Sequence, residues 1–229
     1  MIETHRGIRT TTKKINELKP KTITNRLGQL SISLPRIDDK KRWAGYPGIA
    51  GIARQTARLI PKNIHFYLEP FAGTAKVYQE YRKLEPDSVY FLIDKSKFIY
   101  RWLRENFKRF SDTLILNCDF IEAFEIDFDM KETFYLIDMP WIKSYYDQSF
   151  SCFNRKSVKE YDQEIIQICK KLKHAKFIIT TRKENKTMLE SGFNNYLIQS
   201  EYVVSGKYPK VLLTTNLNLD RRKGVTKVR

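Results

Sequence analysis

The chain has 229 residues, of which 41% are hydrophobic, 13% aromatic and 30% charged, a composition that argues against a disordered chain and a length that suits one large α/β domain or two small ones. It contains no run of about 18 apolar residues to form a membrane-spanning helix, and Met1–Arg6 lacks the apolar core of a signal peptide, so the expected setting is cytoplasmic with no membrane partner. Lys and Arg number 42 against 26 Asp and Glu, a net charge of +16, which directs attention to polyanionic partners, nucleic acid first among them.

Residues 1–42 are polar, basic and rich in Thr and Lys, and read as an extended arm. Trp43 opens a domain that runs to residue 216. Its first helix, Ile52–Ile60, repeats small and apolar residues at helical spacing and is closed by Pro61. Strand-like runs then alternate with helical ones: His65–Leu68, a helix over Lys76–Leu84, Ser88–Ile93, an amphipathic helix over Lys97–Phe110, Thr113–Leu116, Phe134–Ile137, a helix over Tyr161–Leu172, and Lys176–Thr180. Tyr196–Ser205 and Val211–Thr215, joined by Gly206–Pro209, read as a closing hairpin. Residues 217–229 form a basic tail.

Strands alternating with helices imply crossover connections and a mostly parallel sheet covered on both faces, an α/β fold of Rossmann-like type. Four successive strands run into an acid: Glu69, Asp94, Asp119 and Asp138. Ligands of open α/β sheets lie beyond the carboxyl ends of the strands, so these acids stand where a ligand would be held.

The first constellation is Glu69-Pro70-Phe71-Ala72-Gly73-Thr74-Ala75, a strand-to-helix turn whose small residues let backbone amides approach a ligand. It has neither a full dinucleotide fingerprint nor a phosphate-loop lysine, which disfavours NAD and ATP. Asp94 reads either as an acceptor for ribose hydroxyls or as a helix cap. Asp119 with Phe120 has the same two readings, as adenine contacts or as a turn. Asp138-Met139-Pro140-Trp141 is the sharpest feature. Trp141 offers a stacking surface for a planar base, and Asp138 with the Met139 carbonyl offers acceptors to an exocyclic amine. The plain rival is a turn with a surface tryptophan. The three cysteines (Cys118, Cys152, Cys169) and three histidines have no metal-ligand spacing, so neither a metal nor a disulfide framework is expected.

In this order, Tyr46-Pro47-Gly48, Glu69-Pro-Phe-Ala-Gly73, Asp94, Asp119-Phe120 and Asp138-Met-Pro-Trp141 resemble the Dam-type class of DNA adenine-N6 methyltransferases. The resemblance covers about Trp43 to Asn216. It implies a Rossmann-like methyltransferase fold with S-adenosylmethionine as cofactor. Tyr46, Pro47 and Gly48 would border the cofactor's methionine end, and Glu69, Phe71, Ala72 and Gly73 would wrap it. Asp94 would take its ribose, and Asp119 with Phe120 would meet its adenine. Asp138, Pro140 and Trp141 would form the pocket for an adenine flipped out of DNA.

Three departures from that family stand out. Ile49-Ala50 replaces a Gly-Lys pair, Met139 replaces the first proline of the catalytic motif, and only 19 positions separate Asp119 from Asp138, which leaves no room for the usual target-recognition domain. Sequence choice would then come from the basic arm, from Lys143–Lys159, from the tail, or from a protein partner. The expected function is methyl transfer to adenine in DNA. Its rivals are a catalytically impaired nucleic-acid-binding subunit and an RNA adenosine methyltransferase.

Overall fold

The computed structural model describes residues 50–126, 130–138, 158–172, 174–199 and 210–228. Fifteen elements alternate along them: α1 (Ala50–Leu59), β1 (Phe66–Glu69), α2 (Lys76–Tyr81), β2 (Val89–Ile93), α3 (Lys97–Phe107), β3 (Thr113–Leu116), α4 (Phe120–Phe124), a 3-10 turn (Met130–Glu132), β4 (Thr133–Asp138), α5 (Val158–Lys171), β5 (Lys176–Arg182), α6 (Lys186–Leu189), β6 (Asn194–Gln199), β7 (Lys210–Thr215) and β8 (Val225–Lys227).

The strands form one eight-stranded sheet in the order β3-β2-β1-β4-β5-β7-β6-β8. β1 to β5 are mutually parallel. β7 runs antiparallel between β5 and β6, and β8 runs antiparallel on the outer edge of β6. The expected Rossmann-like sheet with its closing hairpin is therefore what forms. The order reverses between β1 and β4, and this switch point is where open sheets of this kind hold ligands.

Both faces are covered, which explains why the central strands are apolar along their whole length rather than alternating. One face packs Tyr67, Tyr90, Leu92, Phe134 and Ile178 against α1, α2 and α3; the other packs Leu68, Phe91, Tyr135, Ile137 and Ile179 against α4 and α5. The first face is rich in tyrosine, and its hydroxyls find partners: Tyr81 donates to the Pro61 carbonyl at 2.7 Å and Tyr78 pairs with Thr113 at 2.8 Å. Tyr67 stacks on Tyr81 with centroids 5.5 Å apart. Cys169 is buried in the second face, and Cys118 packs at its margin.

Three differences from the sequence reading are local. α2 stops at Tyr81 and α3 at Phe107, each about a turn short; beyond α2, Leu84 is 51% exposed and has no apolar surface to join. α4 and α6 are short helices that the apolar pattern does not reveal. The stretch read as a plain basic tail carries β8, and Leu219 ahead of it is buried on the tyrosine face. Among the described residues no helix is long and apolar enough to cross a membrane.

Candidate active site

The site assembles at the carboxyl ends of β1, β2 and β4. β1 delivers Glu69, and the chain then turns back so that the Ala72 N–H donates to the Ile93 carbonyl at the end of β2, at 2.9 Å. Gly73 (φ 48°) and Ala75 (φ 50°) both adopt left-handed backbone. This is natural for glycine and strained for alanine. A side chain at Gly73 would meet no described atom within 4 Å, so the turn faces open space.

Asp94 ties this turn to β2. One carboxylate oxygen accepts from the Gly73 N–H at 3.0 Å and the other from the Ser96 N–H at 2.8 Å. Ser96 in turn caps α3 by accepting from the Ile99 N–H. Burial pushes the Asp94 carboxyl up to about 6, and the two backbone donors restrain the rise. Asn117 completes the corner by donating to the Asp94 carbonyl at 2.8 Å. The cap of α3 is Ser96 rather than Asp94; Asp94 braces Gly73, and each of its oxygens keeps acceptor capacity for a further donor such as a ribose hydroxyl.

Glu69 is 2% exposed. Its carboxylate accepts from the Tyr67 hydroxyl at 2.9 Å and from the Tyr78 backbone near the start of α2. Burial holds its pKa well above the ordinary carboxylate range, and the neighbouring charges of Asp138 and Asp94 add to this. Glu69 is thereby coupled electrically to the acids that end the two neighbouring strands, β2 and β4.

Asp138 closes β4 beside Thr180 of β5. The Thr180 hydroxyl donates to a carboxylate oxygen of Asp138, which orients that side chain at the lip of the sheet. Nothing in the sequence marks Thr180; it looks like one more residue in an apolar strand.

Asp119 is the cap of α4. It accepts from the Ile121 N–H at 3.2 Å, the Glu122 side chain accepts from its own N–H, and its other oxygen accepts from Lys95 at 2.7 Å. The cap reading therefore holds for Asp119, and the Asp-x-x-Glu spacing was its signal. Phe120 is 5% exposed and stacks on Phe71 with centroids 5.1 Å apart, so the aromatic residues after β1 and β3 form a single wall. Ala72 is buried behind the turn. Tyr46, Pro47, Gly48, Pro140 and Trp141 lie outside the described residues. Among the described residues no group of three or more His, Cys, Asp or Glu is placed to hold a metal ion.

S-adenosylmethionine fits these residues on two observations. Acids end the adjacent strands β1, β2 and β4 at the switch point, an acidic edge that suits a ligand bearing a sulfonium and an ammonium, and the space over Gly73 admits close approach to the backbone.

No protein-family model matches the chain, and no curated protein sequence matches it. Solved structures do. The delta-N form of the METTL16 MTase domain superposes with a TM-score of 0.53 at 9% identity, covering 75% of this chain and 84% of that one. A second crystal form of that domain gives 0.50 at 10% identity over 74% and 66%. A probable spermidine synthase from Corynebacterium glutamicum gives 0.51 at 11% identity over 76% and 65%. What these proteins share with the chain is the Rossmann-like fold of methyltransferases.

Proposed function

We propose that the chain is an S-adenosylmethionine-dependent methyltransferase acting on the exocyclic amine of adenine in DNA. The observation that supports this most is the placing of three groups on one lip: Glu69 and Asp94 around the open Gly73 turn, and Asp138 one strand away, steered by Thr180. The turn suits the donor and Asp138 suits the acceptor.

When bound, S-adenosylmethionine supplies an electrophilic methyl group on a sulfonium. Everything else falls to this chain's own residues. Asp94 keeps the Gly73 turn open. Asp138 accepts a hydrogen bond from the amine, which keeps the nitrogen lone pair directed outward and stabilises the positive charge that develops there. Thr180 fixes the direction of that acceptor. Trp141, three residues on in sequence, would stack on the base, and the net charge of +16 would draw the chain to DNA.

The test is labelled methyl transfer to plasmid DNA by the purified chain, with Asp138→Ala beside it and single-stranded RNA as a second substrate. Incorporation at adenine in DNA, reduced about a hundredfold or roughly 2.7 kcal/mol in the variant, is expected. Equal rates for both proteins would remove Asp138 from the mechanism. Preference for RNA would overturn the DNA assignment, and no transfer to either would overturn the enzymatic one.

A further inference from the structure

The central part of the chain is close to neutral, with 14 basic and 15 acidic residues in 44–150, yet its cations are not evenly spread. Residues 97–109 hold five of the 14 and only one acid, Glu105. This stretch is α3 with the two residues after it. Ile99, Trp102, Leu103 and Phe107 pack into the tyrosine face of the core. That fixes the outward side of the helix, which carries Lys97, Arg101, Arg104 and Lys108, all exposed.

These four stand at i, i+4, i+7 and i+11, one row along the helix. At 1.5 Å per residue the row is about 16 Å long, with cations roughly 4.5–6 Å apart. Arg104 lies against Tyr100, its guanidinium 5.8 Å from the ring centroid. Among the described residues no ion pair engages Lys97, Arg101 or Lys108, whereas nearby Lys95 is held by Asp119. Cations left without acids on a surface that is otherwise balanced cost repulsion, and a polyanion laid along the row would relieve it.

The row also has a defined position. It begins three residues after Asp94, the brace of the Gly73 turn, and runs from the ligand-holding edge of the sheet down the outside of the domain.

We infer that the outward face of α3 is a docking surface for the sugar-phosphate backbone of duplex DNA flanking the target base. This rests on the proposed function and adds to it a surface that the strand-end motifs do not include. A duplex presents one charge per about 1.7 Å of axis, a regular line that a straight row of cations matches. Phe98, 56% exposed, and Tyr100 flank the row without interrupting it, so the row meets the backbone through cations, and the stacking grip by which single strands are held is the rival that the RNA arm of the test separates. Contacts of this kind set register and affinity without reading sequence. They would supply part of the grip that an inserted recognition domain provides elsewhere.

The test uses the full chain and a 30-base-pair duplex, with binding measured between 50 and 200 mM salt in the absence of a methyl donor. Lys97→Gln/Arg101→Gln/Lys108→Gln is compared with Lys62→Gln/Lys170→Gln/Lys171→Gln, which removes the same charge from exposed sites elsewhere. The α3 variant is expected to bind at least tenfold more weakly than wild type at 100 mM salt. Its slope of log affinity against log salt should be shallower by about 0.9 for each lost contact. The control should stay within about twofold, and both variants should melt with wild type. Equal weakening of the two would show that only net charge matters, and no weakening would take α3 out of the interface. Loss of single-stranded RNA binding with duplex binding intact would overturn the assignment to duplex. Each of these outcomes overturns the docking surface while leaving methyl transfer by wild type standing; failure of wild type to bind or methylate DNA would instead remove the proposed function itself.

Discussion

The Asp94 carboxylate and the Gly73 backbone N–H meet at 3.0 Å across the gap between the ends of β2 and β1. Two residues 21 positions apart in sequence are thereby made one structural unit, with Gly73 in left-handed backbone on one side and the Ser96 cap of α3 on the other. The geometry of the turn depends on a side chain from the neighbouring strand, and strain tolerated at Ala75 belongs to the same device.

Ala75 tests how far that strain can be taken. It sits at φ 50° and is 1% exposed. Ala75→Gly should leave stability within about 0.5 kcal/mol of wild type, because relief of left-handed strain and loss of a buried methyl nearly cancel. Ala75→Val should cost at least about 2 kcal/mol, since a branched side chain suits neither the backbone nor the space. Urea unfolding midpoints separate these outcomes.

Thr180 should act through Asp138. Replacing it with Val keeps the shape and deletes the hydroxyl that orients the carboxylate. The expected result is about tenfold lower kcat with the KM for the methyl donor unchanged, roughly 1.4 kcal/mol, recovered in Thr180→Ser. Unchanged kcat in the Val variant would detach Thr180 from the site.

Two buried tyrosines on opposite faces of the sheet should behave oppositely. Among the described residues the Tyr135 hydroxyl has no hydrogen-bond partner, so Tyr135→Phe should leave stability unchanged or raise it by up to about 1 kcal/mol. Tyr67 donates to the buried Glu69 carboxylate at 2.9 Å, and Tyr67→Phe should cost about 1–3 kcal/mol. Thermal melts of the two variants at equal pH are sufficient.

Asp162 predicts a pH dependence. It is 3% exposed, accepts from Asn185 at 2.9 Å through one oxygen and, among the described residues, has no partner at the other. Burial pushes its carboxyl from 3.8 up to about 6, with the Asn185 bond opposing. Between these values the folded chain retains a proton that the unfolded chain has released, so this contribution to stability is present at pH 4 and is lost as the pH rises through 6. Asp162→Asn should therefore gain on wild type by about 2 kcal/mol between pH 4 and pH 7. A constant difference in melting temperature across that range would contradict the shift.

How much of this could be read from the residues depended on the reach of each interaction. β1 to β5 were legible because each is an apolar run ending at an acid or a turn, and burial on both faces forces that pattern. α4 was missed although its signal lay in four residues: Asp119 and Glu122 form a capping box, so the acid with two open readings, ligand contact or turn, does at least cap its own helix. α6 is four residues long and is held by Asn185, too short for any period to show. β8 has only Val225 as an apolar residue, and its pairing with β6 is set by the fold. Within the site, Glu69, Asp94 and Asp138 could be found because acids at strand ends are conspicuous. Thr180 and Tyr67 could not, because what matters in each is a hydroxyl aimed at a residue brought near by folding.

The threading of β7 between β5 and β6 bears on how the chain is made. Val211, Leu212 and Leu213 fill the middle of the sheet at 1% exposure or less, yet they follow β6 in the chain. While a ribosome is still short of residue 215, β5 and β6 each expose an open ladder of backbone groups with apolar side chains above and below, the kind of edge that recruits foreign strands. A polypeptide of this design needs shelter until its seventh strand is available, and a released chain truncated between residues 200 and 210 should aggregate rather than fold as a smaller domain.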